Sequence, residues 1–360
     1  MAVPLFATTL DPQMPAITER LAAVARGGRY ILGPEVEAFE AELAAHLGVG
    51  HAIGVANGTD AIAIALRALG VEPGDEVVCP SFTFYATVEA TASIGAIPVY
   101  CDVDPATMCV TAETVRAAIT PRTKAIVAVH LFGNVAPVPE LRELGLPVLE
   151  DAAQATGARL GELRAGALGD AATFSFFPSK NLPCLGDGGA VTTDDDAVAA
   201  RVRRLRFHGS DDKQTFVEVG YNSRLDELQA AVLRLLLGEL DGWNAARRSV
   251  ADRYAAAGLG EHVALPEPVA GAEHVHHLYV VRSDRADELA AGLAERGVGA
   301  RGYYRTPIHR QPATAGFAVA GLELPGTEQA ARTHLALPMG PELTAAQVDE
   351  TVAAVAATLV

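Results

Sequence analysis

The chain is 360 residues long, enough for about two domains and a large buried core. Half of it is hydrophobic and a fifth is charged, which is ordinary globular composition. Acidic residues outnumber basic ones by 44 to 28, so the net charge of -16 argues against a nucleic-acid-binding surface, which needs a cationic excess on some face.

The N-terminal "MAVPLFATTLDPQM" lacks the basic start and apolar run of a signal peptide. No apolar stretch approaches the ~20 residues of a membrane span. The four cysteines, Cys79, Cys101, Cys109 and Cys184, show no paired or zinc-like spacing and read as reduced thiols. A soluble cytoplasmic protein without metal, membrane or nucleic-acid partners is therefore expected.

From about residue 50, short apolar runs alternate with helical patterns. The strand-like runs are 52–56, 76–80, 97–103, 124–130, 146–151, 171–177 and 189–194. They lack polar alternation, as strands covered by helices on both faces do. The alternation predicts an α/β fold with a mainly parallel sheet. No helix separates the last two strands, so the sheet is expected to be mixed there.

"SRLDELQAAVLRLLLGEL" then spaces its leucines as one helix, with Asn222 or Ser223 as the cap and Asp226 where an acid favours a helix start. After a second helical pattern around residues 243–258, the composition changes. Residues 1–245 read as a large α/β domain and 246–360 as a small α+β domain. The small domain would hold the strand "HHLYVVR", the helices "ADELAAGLAERG" and "TAAQVDETVAAVAATL", and the irregular "GYYRTPIHRQP".

Ligands of open α/β sheets bind beyond the carboxyl ends of the strands, and several unusual segments begin there. In "ANGTD", Gly58 permits close backbone approach and the free amides beside Thr59 suit a phosphate, although for this stretch taken alone an Asn-Gly turn with a Thr cap is the favoured reading. "VLEDAAQATGA" puts Glu150 and Asp151 at a strand end, as caps or as partners of a protonated ring nitrogen. "FSFFPSK" delivers Ser175 from a strand and Lys180 from the following loop. A desolvated lysine there would be a nucleophilic amine, and a solvated one merely a loop residue. Phe84, in "PSFTFYAT", either stacks on a flat ligand or sits in the core. Together the pieces describe a flat, phosphorylated aldehyde with a basic ring nitrogen, which is pyridoxal 5′-phosphate (PLP).

The order and spacing of "GRYILGPEVEAFE", "VANGTDAIAIALRALG", "PGDEVVCPSFTFYAT", "IVAVHLFG", "EDAAQATGA", "FSFFPSKNLPCLGDGG", "GYNSRLDELQAAVL" and "LALP" resemble the DegT/DnrJ/EryC1/StrS family of PLP-dependent sugar aminotransferases. The resemblance runs nearly end to end. It implies the type I aminotransferase fold, with a mixed sheet of seven-stranded type in the large PLP-binding domain.

By that resemblance Lys180 is the Schiff-base lysine, Asp151 the partner of the pyridine nitrogen and Gln154 the ligand of the phenolic oxygen. Phe84 is the stacking ring, and Gly58, Thr59 and Ser175 hold the phosphate. Asn222 would reach the phosphate of the neighbouring subunit, implying a homodimer with shared sites. His309 would lie near the sugar-nucleotide entrance, and Arg224 and Tyr304 are added, without support from the resemblance, as candidate substrate contacts. Ser179 and Pro183 stand where the family often has glycine, and Phe132 and Phe177 where it often has tyrosine. The missing hydroxyls bear on which sugar is accepted, not on cofactor binding.

The implied reaction is ping-pong transfer from L-glutamate to the ketone of a nucleotide-linked keto-6-deoxyhexose, with a lean toward a dTDP-linked 3-keto sugar. Arg206, Arg224, Arg301 or Arg305 would meet the diphosphate or form plain ion pairs. The rivals are a C-4 keto sugar or cyclitol as acceptor, and a catalytically idle PLP-binding sensor. A deoxysugar dehydratase is disfavoured, because such relatives replace the lysine with histidine.

Overall fold

Seven strands lie side by side in the order β1-β9-β8-β5-β4-β2-β3. They are β1 (His51–Val55), β2 (Glu76–Pro80), β3 (Ile97–Cys101), β4 (Thr123–Val129), β5 (Val148–Asp151), β8 (Ala171–Ser175) and β9 (Gly189–Thr193). Between β5 and β8 the chain makes a hairpin, β6 (Arg159–Leu160) and β7 (Leu163–Arg164), joined by β10 (Ala272–Glu273). A separate pair, β11 (Tyr279–Arg282) and β12 (His334–Leu337), is antiparallel. This computed structural model describes residues 2–317 and 323–359.

Six strands of the large sheet run one way, and β9 is antiparallel to both its neighbours. The expected mixed, mainly parallel sheet is therefore present, with its reversal where no helix intervenes. Strand interiors are almost wholly buried, which explains why their sequences lack polar alternation. None of the helices among the described residues is long and apolar enough to cross a membrane, and all four cysteines are free and buried.

Two helices precede the sheet, α1 (Met14–Gly27) and α2 (Pro34–Leu47). Each has Pro at its start and ends on a left-handed glycine, Gly28 (φ 70°) and Gly48 (φ 78°). Two more follow β1 and β2, namely α3 (Gly58–Ala68) and α4 (Ala86–Ser93).

The long helix read from residue 223 onward is corrected in two ways. It spans Glu227–Leu237, and a new helix covers Leu240–Ala256. Neither Asn222 nor Ser223 caps it, because Asp226 holds the cap position without a side-chain bond. The preceding residues are engaged elsewhere. Ser223 Oγ accepts from Ala56 N–H at 3.1 Å, and Asn222 bridges to Phe207.

Residue 245 lies inside the helix Leu240–Ala256, whose Val250 and Tyr254 join a second hydrophobic cluster. That cluster also draws on Val3, Tyr279, Leu335 and Val355, from both ends of the chain. Tyr254 stacks on Tyr279 at 4.7 Å and donates to Pro338 O at 2.9 Å.

Candidate active site

The carboxyl ends of β1, β2, β5 and β8 share one edge of the sheet, and a cavity of about 930 Å³ opens there. At the end of β1, Asn57 Oδ1 accepts from Asp60 N–H at 2.8 Å, and Asn57 O accepts from Ala61 N–H at 3.1 Å. The Gly58 and Thr59 amides, at the first two positions of α3, have no intrahelical acceptor. A Cβ on Gly58 would lie 2.8 Å from Ser175 Cβ, so only glycine lets the turn rest against β8. Gly189, opposite Ser175 in the β8–β9 register, is bare for a related reason, since its Cβ would lie 2.5 Å from Asn57 C and O. The result is an anion cradle of two amides and one hydroxyl.

Strand alternation separates the two acids that end β5. Asp151 lines the cavity at 5% exposure. It accepts from Thr87 Oγ1 at 2.9 Å and from Ala153 N–H at 3.3 Å, and it makes no ion pair among the described residues. Burial pushes its carboxyl above the usual range, opposed first by the Thr87 hydrogen bond and then by Ala153. A buried carboxylate with two neutral donors and no ion pair among the described residues suits a protonated ring nitrogen.

Lys180 follows the end of β8 by five residues, and its amide donates to Phe177 O at 2.8 Å. The side chain lines the same cavity, half-buried. Burial pulls its ammonium down to about 8, with Asp151 opposing. At neutral pH roughly a tenth of the amine is therefore uncharged, far more than for a solvated lysine. Only the neutral amine attacks an aldehyde, so the rate of imine formation with added PLP should climb about tenfold per pH unit below 8 and level off above it. Stopped-flow absorbance between pH 6 and 10 checks this. A profile still rising steeply at pH 10 would contradict it.

Glu150 points away from the cavity and is fully buried. Its oxygens accept from Gly166 N–H (2.8 Å), Leu168 N–H (2.8 Å) and Gly169 N–H (2.7 Å). Ala136 N–H donates to His130 Nδ1, so the ring proton lies on Nε2, which donates to Glu150 Oε2 at 2.8 Å. Glu150 thus fastens the β5–β8 connection behind Asp151. Glu150→Gln would turn an NH2 group against these donors and should cost about 3 kcal/mol, seen as a lower urea midpoint at unchanged slope.

The other predicted residues sort clearly. Gln154 and Tyr304 line the cavity, as does Phe84, which is 56% exposed. Gln154 Oε1 accepts from Phe132 N–H at 2.7 Å, and its Nε2 donates to Tyr304 Oη at 3.1 Å. Asn222, Arg224 and His309 do not line it. Asn222 is exposed and Arg224 half-buried. His309 is held by Ser81 Oγ on Nδ1 (2.6 Å) and Glu328 Oε1 on Nε2 (2.8 Å), a structural tie between segments.

Of the four arginines considered for a diphosphate, Arg206 is buried on Glu40 and Gly54 O, and Arg305 bonds Asp287, Ala331 O and Arg332 O. Arg301 lines the cavity, is exposed, makes no ion pair among the described residues, and lies over the Tyr303 ring at 5.0 Å. Sequence reasoning passed over Thr87, His277 and Phe6. Thr87 stood inside a quoted segment, but Phe6 carries no local signal. It reaches the cavity because the N-terminal stretch bridges to Met339.

The model of the DegT/DnrJ/EryC1/StrS aminotransferase family matches residues 13–356. A dTDP-3-amino-3,4,6-trideoxy-alpha-D-glucose transaminase of Streptomyces venezuelae is 47% identical over 331 residues, 89% of this chain and 87% of that protein. A protein of Geobacillus stearothermophilus named as a pleiotropic regulatory protein is 46% identical over 91% of this chain and 90% of its own. The crystal structure of S. venezuelae DesV in complex with a ketimine intermediate superposes with a TM-score of 0.94 at 44% identity, covering 98% of this chain and 97% of that one.

Proposed function

The chain belongs to the DegT/DnrJ/EryC1/StrS aminotransferase family, whose members use PLP, and we propose that it moves an amino group from L-glutamate to a dTDP-linked 3-keto-6-deoxyhexose. The observation that carries this reading is one cavity holding a half-buried lysine of lowered pKa and a buried carboxylate that makes no ion pair among the described residues. The named activity of the S. venezuelae transaminase supports the sugar and the nucleotide.

The residues present fit the cofactor. Lys180 Nζ would bond its aldehyde, and Asp151 would face the ring nitrogen. Gln154 Nε2, with one hydrogen still unused, would reach the phenolic oxygen. Phe84 would cover the ring, while the Gly58 and Thr59 amides and Ser175 Oγ would take the phosphate. Bound there, PLP supplies an electron sink and a carrier for the amino group.

The chain's own part is proton handling and charge. Lys180 Nζ removes the proton from the donor's α-carbon and, in the reverse sense, returns one to the sugar carbon that gains nitrogen. A nucleophile near pKa 8 can do both near neutral pH. Asp151 holds a fixed negative charge in a dry site, where it acts strongly on a cation beside it. Arg301 is the cation best placed for the diphosphate. Asn222 and Arg224, outside their own cavity, are assigned to the site of a second copy in a cytoplasmic homodimer. The exposed apolar Phe216, Val217 and Val219, just before Asn222, support a covered face there.

The test is the absorption spectrum of the PLP-loaded protein before and after L-glutamate, followed by dTDP- and UDP-linked ketosugars. Conversion to the amine form by glutamate, and back by a 3-keto sugar, is expected. If PLP binds but no donor or ketone changes it, an idle sensor is the better reading, in line with the name of the Geobacillus relative.

A further inference from the structure

Tyr304 is held more firmly than a surface tyrosine would be. Its ring lies parallel to Phe132 at 5.9 Å (7° between planes) and meets the edge of Phe82 at 5.9 Å (84°). Both stacked residues sit in the left-handed region, Phe132 at φ 59° and Tyr304 at φ 61°. Non-glycine residues stay there only when their surroundings over-determine them.

The hydroxyl is oriented as well. Phe132 N–H donates to Gln154 Oε1, which turns Nε2 of that amide toward Tyr304. An amide NH2 can only donate, so Tyr304 Oη accepts this bond and must direct its own proton elsewhere. No other hydrogen bond of Tyr304 Oη is made among the described residues, and the side chain lines the cavity. Its proton is therefore offered to whatever occupies that space.

Resting on the aminotransferase reading, we infer that Tyr304 Oη donates a hydrogen bond to the carbonyl oxygen of the acceptor sugar. A neutral phenol suits a neutral carbonyl oxygen. The anionic groups of donor and nucleotide are better met by a cation, and Arg301 lines the same cavity. Burial pushes the phenol's pKa up, so it remains a donor across the working range. The bond strengthens as the oxygen gains charge during attack, which is where a fixed donor accelerates a reaction. Tyr304 thereby supplies a hydroxyl beside Phe132.

The experiment separates the two half-reactions in Tyr304→Phe, which keeps the ring stack. The ketosugar half-reaction should slow about 100-fold, while the glutamate half-reaction and the dissociation constant of PLP should change no more than about threefold. An unchanged ketosugar step overturns the inference. So does an equal fall in both halves with weakened PLP binding, which would make Tyr304 only a prop for Gln154. Failure of every amino donor to react with the wild type would sink the aminotransferase reading itself.

A measurement on the wild type guards against a variant that does not fold. Its PLP form should bind the ketosugar nucleotide about tenfold more tightly than the analogue with a methylene in place of the carbonyl. Equal affinities overturn the inference.

Discussion

Lys180→Ala should lower transamination by at least about 10⁴-fold, because in the proposed function one group serves as both nucleophile and proton carrier. Removing a general acid–base alone accounts for about 10²–10⁴. Lys180→Arg separates the roles from simple charge. The guanidinium keeps a cation in the cavity but neither deprotonates nor condenses with an aldehyde, so it should be as inactive as alanine. Treating the PLP-loaded protein with borohydride should attach the cofactor permanently to the peptide containing Lys180, and to no peptide of either variant. Substantial turnover in Lys180→Ala, above about one percent of wild type, would remove Lys180 from the chemistry.

The sequence made Lys180 conspicuous because a lysine after an apolar strand and before three glycines conflicts with the local pattern. Local conflicts of that kind are where function tends to sit. The sheet was legible for a similarly local reason. Buried parallel strands are short apolar runs, and each lies between turn signals. Their ends were less so. "IPVYCDV" stops at Cys101 because Asp102 turns to accept from Gly326 N–H and Thr327 N–H. "AATFSFF" stops at Ser175 because Phe176 is drawn into bonds with Gly188 and Cys184. Both partners are distant or loop residues that no local pattern reveals.

Other elements escaped for different causes. The break at Gly238 is hidden because the leucine spacing continues across it into the next helix. The α1 and α2 helices carry proline starts and glycine ends that would have exposed them. Asp151 and Glu150 could not be told apart by residue type. Only the strand register shows that one faces the cavity and the other a ring of backbone amides. The aromatic clamp on Tyr304 and the Thr87 bond to Asp151 are tertiary, so sequence periodicity is blind to them.

Asp151→Asn should lower turnover about 10³-fold while PLP still binds, and it should not destabilise the cofactor-free protein. In the folded chain burial raises the Asp151 pKa, so the native state holds this proton to higher pH than the unfolded state does. Its contribution to stability therefore falls as pH rises from about 4 through the raised pKa. Asparagine removes that penalty, has nearly the same volume, and can accept from Thr87 or donate to it. The cofactor-free variant should melt at or above the wild-type temperature at pH 8 and lose the wild type's decline over that window. Loading with PLP reverses the comparison, since only the carboxylate gains a cationic partner, so the thermal shift on adding PLP should be larger for wild type. A residue kept at a cost in the empty protein and repaid only with ligand is one held for binding rather than for folding. A variant that melts well below wild type without PLP, or that turns over at the wild-type rate with it, would show Asp151 to be structural.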